Sequence, residues 1–143
     1  MRIRFVRLTA ALTAVTLTAG CGLTGSEPSE PSQQSGKIAV GDTSQRTQSV
    51  KCAQIEWDLT IDAIADPGRA HAFLQLGGPK PIVRTVNIEN VNGLNAISGG
   101  TVADAEASLK NSSVYTITGT AVVTDSAHPG QTKDMPFTIE APC

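Results

Sequence analysis

The chain has 143 residues, 17% of them charged and 3% aromatic, with 11 Lys and Arg against 13 Asp and Glu for a formal net charge of −2. A faintly acidic chain with no basic cluster excludes a protein that tracks nucleic-acid phosphates. It equally excludes one that reaches a membrane surface by charge alone.

Residues 1–20 have the order and size of a secretory signal, with Arg2, Arg4 and Arg7 ahead of an uncharged run of Ala, Thr, Leu and Val over residues 8–18. At about 1.5 Å per residue, a helix of that run falls well short of a roughly 30 Å hydrocarbon core. It is a signal and not a span. The run ends in Leu17-Thr18-Ala19-Gly20-Cys21, which resembles the lipobox of bacterial lipoproteins, with Thr18 where the pattern usually carries Leu. The resemblance implies that a diacylglyceryl group alkylates the Cys21 thiol, that residues 1–20 are removed, and that the new N-terminus is acylated, with palmitate-type chains. Each buried methylene stabilises by about 0.8 kcal/mol, and two or three chains hold durably where one does not. Loss of the signal removes three basic residues and no acid, leaving the remainder more acidic.

Residues 22–48 are Gly, Ser, Pro, Glu, Gln and Thr with almost no large apolar side chain, as in Ser26-Glu27-Pro28-Ser29-Glu30-Pro31. Such a stretch buries too little surface to offset its ordering entropy and reads as a disordered tether, so residues 21–49 form the lipidated linker. Its typical reach is about 30 Å.

The folded domain is then residues 50–143, enough for one small core. Over residues 55–62, Ile55-Glu56-Trp57-Asp58-Leu59-Thr60-Ile61-Asp62, apolar and polar side chains alternate, which predicts one strand with Ile55, Trp57, Leu59 and Ile61 buried. Asp66-Pro67-Gly68 is a turn. Residues 70–76 fit a strand with Ala72, Leu74 and Leu76 on one side, and also a short helix. Gly77-Gly78-Pro79-Lys80-Pro81 breaks the chain. Residues 82–91 form a strand that meets Asn92-Gly93 and then Leu94-Asn95-Ala96-Ile97, and an Asn-Gly pair between apolar stretches predicts a hairpin, since both turn residues need positive φ. Gly99-Gly100 ends it.

Residues 102–109 read either as a strand, with Ala103, Ala105, Ala107 and Leu109 in phase, or as a helix from their Ala and Glu content. Asn111-Ser112-Ser113 is a turn, and residues 114–123 are rich in β-branched side chains, with Tyr115, Ile117, Ala121 and Val123 sharing a face with Gly119. After a loop over 125–131 comes a last strand in which Met135, Phe137, Ile139 and Ala141 alternate with polar neighbours. Pro136 lacks a ladder donor, which predicts that this strand lies at an edge or bulges there. Short strands punctuated by turn residues predict an all-β fold, a small antiparallel β-sandwich or open barrel.

Asn90-Val91-Asn92-Gly93, Tyr115-Thr116-Ile117-Thr118-Gly119-Thr120-Ala121 and Phe137-Thr138-Ile139-Glu140 with Cys143 resemble, in that order, the mycobacterial nineteen-kilodalton lipoprotein antigen family. Signal, lipobox and tether precede them in the same sequence. The resemblance implies a lipid-anchored, extracytoplasmic protein of the cell membrane or outer envelope, an antigen whose acylated N-terminus is sensed by host innate receptors and whose domain acts as an adhesin on a host or envelope partner. It also implies a disulfide between Cys52 and Cys143. The cysteine count agrees, since two remain once Cys21 is lipidated in an oxidising compartment. Two free thiols or a metal pair are the alternative. Cys52 falls on the polar phase of the 55–61 alternation, which predicts a bulge or bend near Ala53.

The inventory for chemistry is thin. His71 and His128 have no metal-binding partner at helical or turn spacing, no set of four zinc ligands is available, and no Gly-x-Ser-x-Gly elbow occurs. Glu56, Asp58 and Asp62 are the carboxylates that the solvent side of a half-buried strand carries as a matter of course. Trp57 has the phase of a core residue. Asn111-Ser112-Ser113 is a formal glycosylation sequon that reads as a turn. The expectation is a non-enzymatic interaction protein without metal or cofactor and without nucleic acid. A periplasmic carrier of lipid or glycolipid is the alternative, and it would need an apolar cavity.

Overall fold

Apolar side chains at every second position set the strands of this chain, and turns bearing glycine or asparagine end them. The computed structural model describes residues 35–143, so Cys21, the signal and most of the expected tether lie outside the described residues. Within them run ten strands: β1 (Lys37–Val40), β2 (Thr43–Arg46), β3 (Ser49–Ile55), β4 (Asp58–Ile64), β5 (Arg69–Gln75), β6 (Ile82–Val91), β7 (Leu94–Ser98), β8 (Ala105–Lys110), β9 (Val114–Asp125) and β10 (His128–Pro142). All pairings are antiparallel, in the order β2-β1-β10-β9-β7-β6-β5-β4-β3, with β8 also on β9.

That order forces the sheet to curl. β2 and β3 stand at its two ends, yet only Thr47 and Gln48 connect them, and these residues hydrogen-bond to opposite ends: Thr47 N–H to Gly36 O (3.0 Å) beside β1, Gln48 N–H to Ile64 O (2.6 Å) on β4. The result is an open half-barrel. Thr47, itself buried, accepts the Gly36 N–H on its hydroxyl at 2.6 Å. Gln45 clamps the curl further by bonding Gly68 N–H and the Asn92 side chain at two separate turns.

The core lies inside the curl. Ile38, Ile139, Ile117 and Ala107 stand opposite one another across four neighbouring strands, and Val40, Phe137, Gly119 and Ala105 form the next row. The large side chains in these rows are at most 3% exposed. Each such aliphatic contributes about 1.5–3 kcal/mol by its burial. Gly119 has no side chain because Ala105 Cα lies 2.7 Å from where a Cβ would stand.

Several expectations hold. Residues 70–76 and 102–109, open between strand and helix, are strands β5 and, from Ala105, β8. Asn92 (φ 52°) and Gly93 (φ 82°) make the two-residue β6–β7 hairpin.

Four expectations are corrected. Folded structure starts before Val50: Ile38 and Val40, in the stretch read as tether, are fully buried against β10. Only two apolar residues point inward from β1, so composition averaged over the tether concealed them.

The alternation over residues 55–62 is two strands and not one. Ile55 pairs with Asp58, which makes Glu56-Trp57 a two-residue hairpin loop with Glu56 at φ 53°. A two-residue loop exchanges the parity of inward positions, so even-numbered residues of β3 and odd-numbered residues of β4 face the core. Trp57 is therefore 64% exposed and Ile55 75% exposed. Tertiary contacts hold the loop: Leu76 N–H donates to Trp57 O at 2.6 Å, and the indole ring lies over Gly77. Trp57→Ala is accordingly expected to cost less than about 1 kcal/mol in urea unfolding, against about 3–5 kcal/mol for a core tryptophan. The lone indole should show water-like, red-shifted emission.

The same parity exchange removes the bend expected near Ala53. Cys52 stands opposite Ile61 on the core side of an unbroken β3–β4 ladder.

Finally, Pro136 sits in a central strand without a local bulge; the irregularity in β10 lies between His128 and Thr132. The Pro136 carbonyl accepts from Gly41 N–H (2.8 Å), so its missing donor points to the side where β1 has already turned away. The β9–β10 register runs unbroken through Pro136 and Thr120.

Candidate functional site

The polar groups on this sheet are spread out by its periodicity. On the outer face, Lys51, Asp62, His71 and Asn87 stand opposite one another across β3 to β6. His71 Nδ1 lies 2.7 Å from Asp62 Oδ1, and both side chains are partly exposed. The direct ladder neighbours of His71 are Asp62 and Asn87.

His128 opens β10 far along the chain from this row, with its Nδ1 3.2 Å from Asp125 Oδ2. The Ala127 N–H, which donates to Asp125 Oδ1 at 2.9 Å, and then His128 hold the Asp125 carboxyl below the usual carboxylate range. This is a capped turn on the surface. The two histidines thus belong to two separate Asp–His pairs. Among the described residues, no three His, Cys, Asp or Glu side chains converge on a point that could hold a metal ion. Glu56 lies in the exposed β3–β4 loop and Asp58 follows it, and Asn111 and Ser112 stand in the β8–β9 turn at positive φ (51° and 58°).

Cys52 and Cys143 are joined in a disulfide across 91 residues, with Cα atoms 5.7 Å apart. The bridge ties β3, at one end of the sheet order, to the residue that follows β10. Cys143 N–H also donates to Ser113 O at 2.7 Å, which fastens the end of the chain to the β8–β9 turn.

Among the described residues, several grooves open on this body, three of them near the groups named above or along β8. One of about 190 Å³ has Leu94, Val123 and Met135 as its floor with Asp125, His128 and Lys133 at its rim. A second, of about 280 Å³, lies beside the disulfide between Leu59, Leu109 and Tyr115. The third, of about 580 Å³, runs between residues 79–83 and residues 105–109. All three are open to solvent and lined by polar as well as apolar groups. Sequence reasoning reached none of them, because each depends on which strands the curl brings together.

The surface has no feature of a spanning protein in helical form: among the described residues, no helix is long and apolar enough to cross a membrane. Comparison with known proteins agrees with the order of motifs in the sequence. Lipoprotein LpqH of Mycobacterium avium is 34% identical over 96 residues, 66% of this chain and 59% of that protein. Lipoprotein LpqH of Mycobacterium tuberculosis and of Mycobacterium bovis are each 34% identical over 98 residues, 68% of this chain and 61% of theirs. The matched part thus spans about six tenths of the length of these curated relatives. Described as a Mycobacterium 19 kDa lipoprotein antigen, a family model matches residues 29–143, taking in both early strands, every later one and both bridged cysteines, so the chain belongs to that family of antigens rather than to a family of enzymes.

Proposed function

We propose that this chain is a lipid-anchored lipoprotein of the cell envelope, exposed outside the cytoplasm, whose β domain works by binding, in the manner of an adhesin, and not by catalysis. The observation that carries the reading is Cys21 at the end of a lipobox-like signal, ahead of a domain of the lipoprotein antigen family. Acyl chains on Cys21 supply the membrane partner. The acylated N-terminus is the feature a host innate receptor would meet.

The described domain reaches back to Gly36, which packs against Pro142 at the other end of the chain. The two Asp–His pairs lie apart on the surface and the grooves described are open to solvent, which favours binding over turnover or lipid carriage.

Replacement of Cys21 by serine in the producing cell tests the anchor. The expected outcome is a precursor that keeps residues 1–20, loses acyl mass and leaves the detergent-soluble membrane fraction. Unchanged processing and membrane partitioning would overturn the proposal.

A further inference from the structure

The two ends of the half-barrel differ in what they expose. At one end, the turns that follow β4, β6 and β9 carry Asp66, Asn92 and Ser126. At the other, Ile55 and Trp57 of the β3–β4 hairpin, Ile82 at the start of β6 and Leu109 near the end of β8 are 75%, 64%, 51% and 46% exposed. Four of the seven large apolar side chains exposed among the described residues thus share one rim, whereas single ones scattered over a surface would need no explanation.

Register and grooves place these side chains together. Ile55, Asp58, Gln75 and Ile82 stand opposite one another across β3 to β6. Ile82 and Leu109 line one groove, and Leu109 lines the next with Gln54, the chain neighbour of Ile55. Trp57 is fixed at the tip, since its carbonyl accepts the Leu76 N–H and its ring rests on Gly77.

The chain coming from Cys21 enters the domain on this same rim. Gly36 packs against Pro142, and Cys143, the next residue, lines the groove that also holds Gln54 and Leu109. About 15 residue steps separate Cys21 from Gly36, and even fully extended they span no more than about 50 Å. To bring the polar end to the bilayer, those residues would have to run the length of a domain roughly 35 Å across. The rim where the chain enters needs no such detour.

Charge leaves the choice of surface to the apolar groups. Lys80 and Lys110 stand among Glu56, Asp58 and Glu106 on this rim, so neither sign dominates and an anionic surface is not selected. Separate apolar side chains with charged ones between them suit a fluid interface, where indole and aliphatic groups sit at the headgroup boundary while charged tips stay in water. A protein partner would instead have to match several protruding segments and two open grooves in shape.

We propose that this rim, with Trp57 foremost, is a second membrane contact, seated in the headgroup boundary of the bilayer that holds the acyl chains on Cys21. Each inserted side chain adds little alone. The anchor keeps the rim at high effective concentration beside the lipid, so weak insertion suffices to orient the domain with its polar end away from the bilayer. The proposal rests on the reading of Cys21 as the lipid anchor.

The test uses the mature acylated chain from the producing cell, reconstituted in phosphatidylcholine vesicles whose acyl chains either lack bromine or carry it near the headgroup. Trp57 is the only tryptophan, so indole emission reports this rim alone. The expected result is emission quenched by at least about twofold in the brominated vesicles, as insertion to about 5–10 Å requires. Ile55→Asp with Ile82→Asp, both at exposed positions, should relieve most of the quenching without releasing the chain from the vesicles. Trp57→Phe with Gln131→Trp carries the indole to the groove of Asp125 and His128 at the polar end, where quenching should be absent. A chain that floats with the vesicles but keeps full emission at Trp57, or is quenched equally at both ends, overturns the proposal and leaves the anchor standing. Blue-shifted emission that grows with protein concentration in the absence of lipid overturns it too, since a second copy would then cover the rim. A chain that does not float with the vesicles removes the anchor and this contact together.

Discussion

Replacing Cys52 and Cys143 together with alanine is expected to lower the stability of the domain by about 2–4 kcal/mol and its Tm by about 10–25 °C. The bridge closes a loop of 91 residues, for which the chain-entropy account alone gives about 4.6 kcal/mol. That is a large share of the roughly 5–15 kcal/mol a domain of this size has in total. The place of the bridge adds a local effect. β3 pairs only with β4 and is an end of the sheet, so the covalent tie to Cys143 is its second attachment. Amide exchange over Ser49–Ile55 should therefore speed up in the double variant more than exchange over Val114–Asp125, which has neighbours on both sides. Thermal unfolding and native-state exchange on the same protein check both parts. A Tm shift below about 3 °C with unchanged exchange in β3 would show the bridge to be incidental to the fold.

The strand positions were legible wherever local chemistry and burial agree. Asn92-Gly93 demands positive φ at both residues and has it, and Phe137, Ile139 and Ala141 alternate because one side of β10 faces the core along that stretch. What stayed hidden was decided by contacts distant in sequence. Glu-Trp carries no turn chemistry, and the loop exists because Leu76 and Gly77 seat Trp57 from another hairpin. Its even length let the apolar alternation run on unbroken, which disguised a reversal of the chain as a continuous strand. The same reversal accounts for Cys52 facing inward. Pro136 misled for a related reason: the rule that proline marks an edge concerns its missing donor, and the sequence does not reveal that β1 ends one residue short of needing it. The grooves were illegible altogether, since each depends on which strands the curl brings together.

The start of the domain is where sequence and structure differ most, and it gives the largest contrast in an experiment. Ile38→Ala is expected to destabilise by about 2–5 kcal/mol, because Ile38 is 0% exposed and stands directly opposite Ile139 in the central core row. Lys37→Ala, one residue earlier on the exposed phase of the same strand, should stay within about 0.5 kcal/mol. A residue in a flexible tether would give no effect at either position. Removal of the stretch as a whole goes further: a chain begun at Val50 lacks β1 and β2, uncovers Phe137 and Ile139, and opens the β10 edge along residues 137–140. An apolar edge without its neighbour is a site of aggregation. The shortened chain should thus fail to give a cooperative urea transition, even with Cys52 and Cys143 both present. If Ile38→Ala instead unfolds within about 0.5 kcal/mol of the parent, β1 contributes nothing to the core and the half-barrel closes without it.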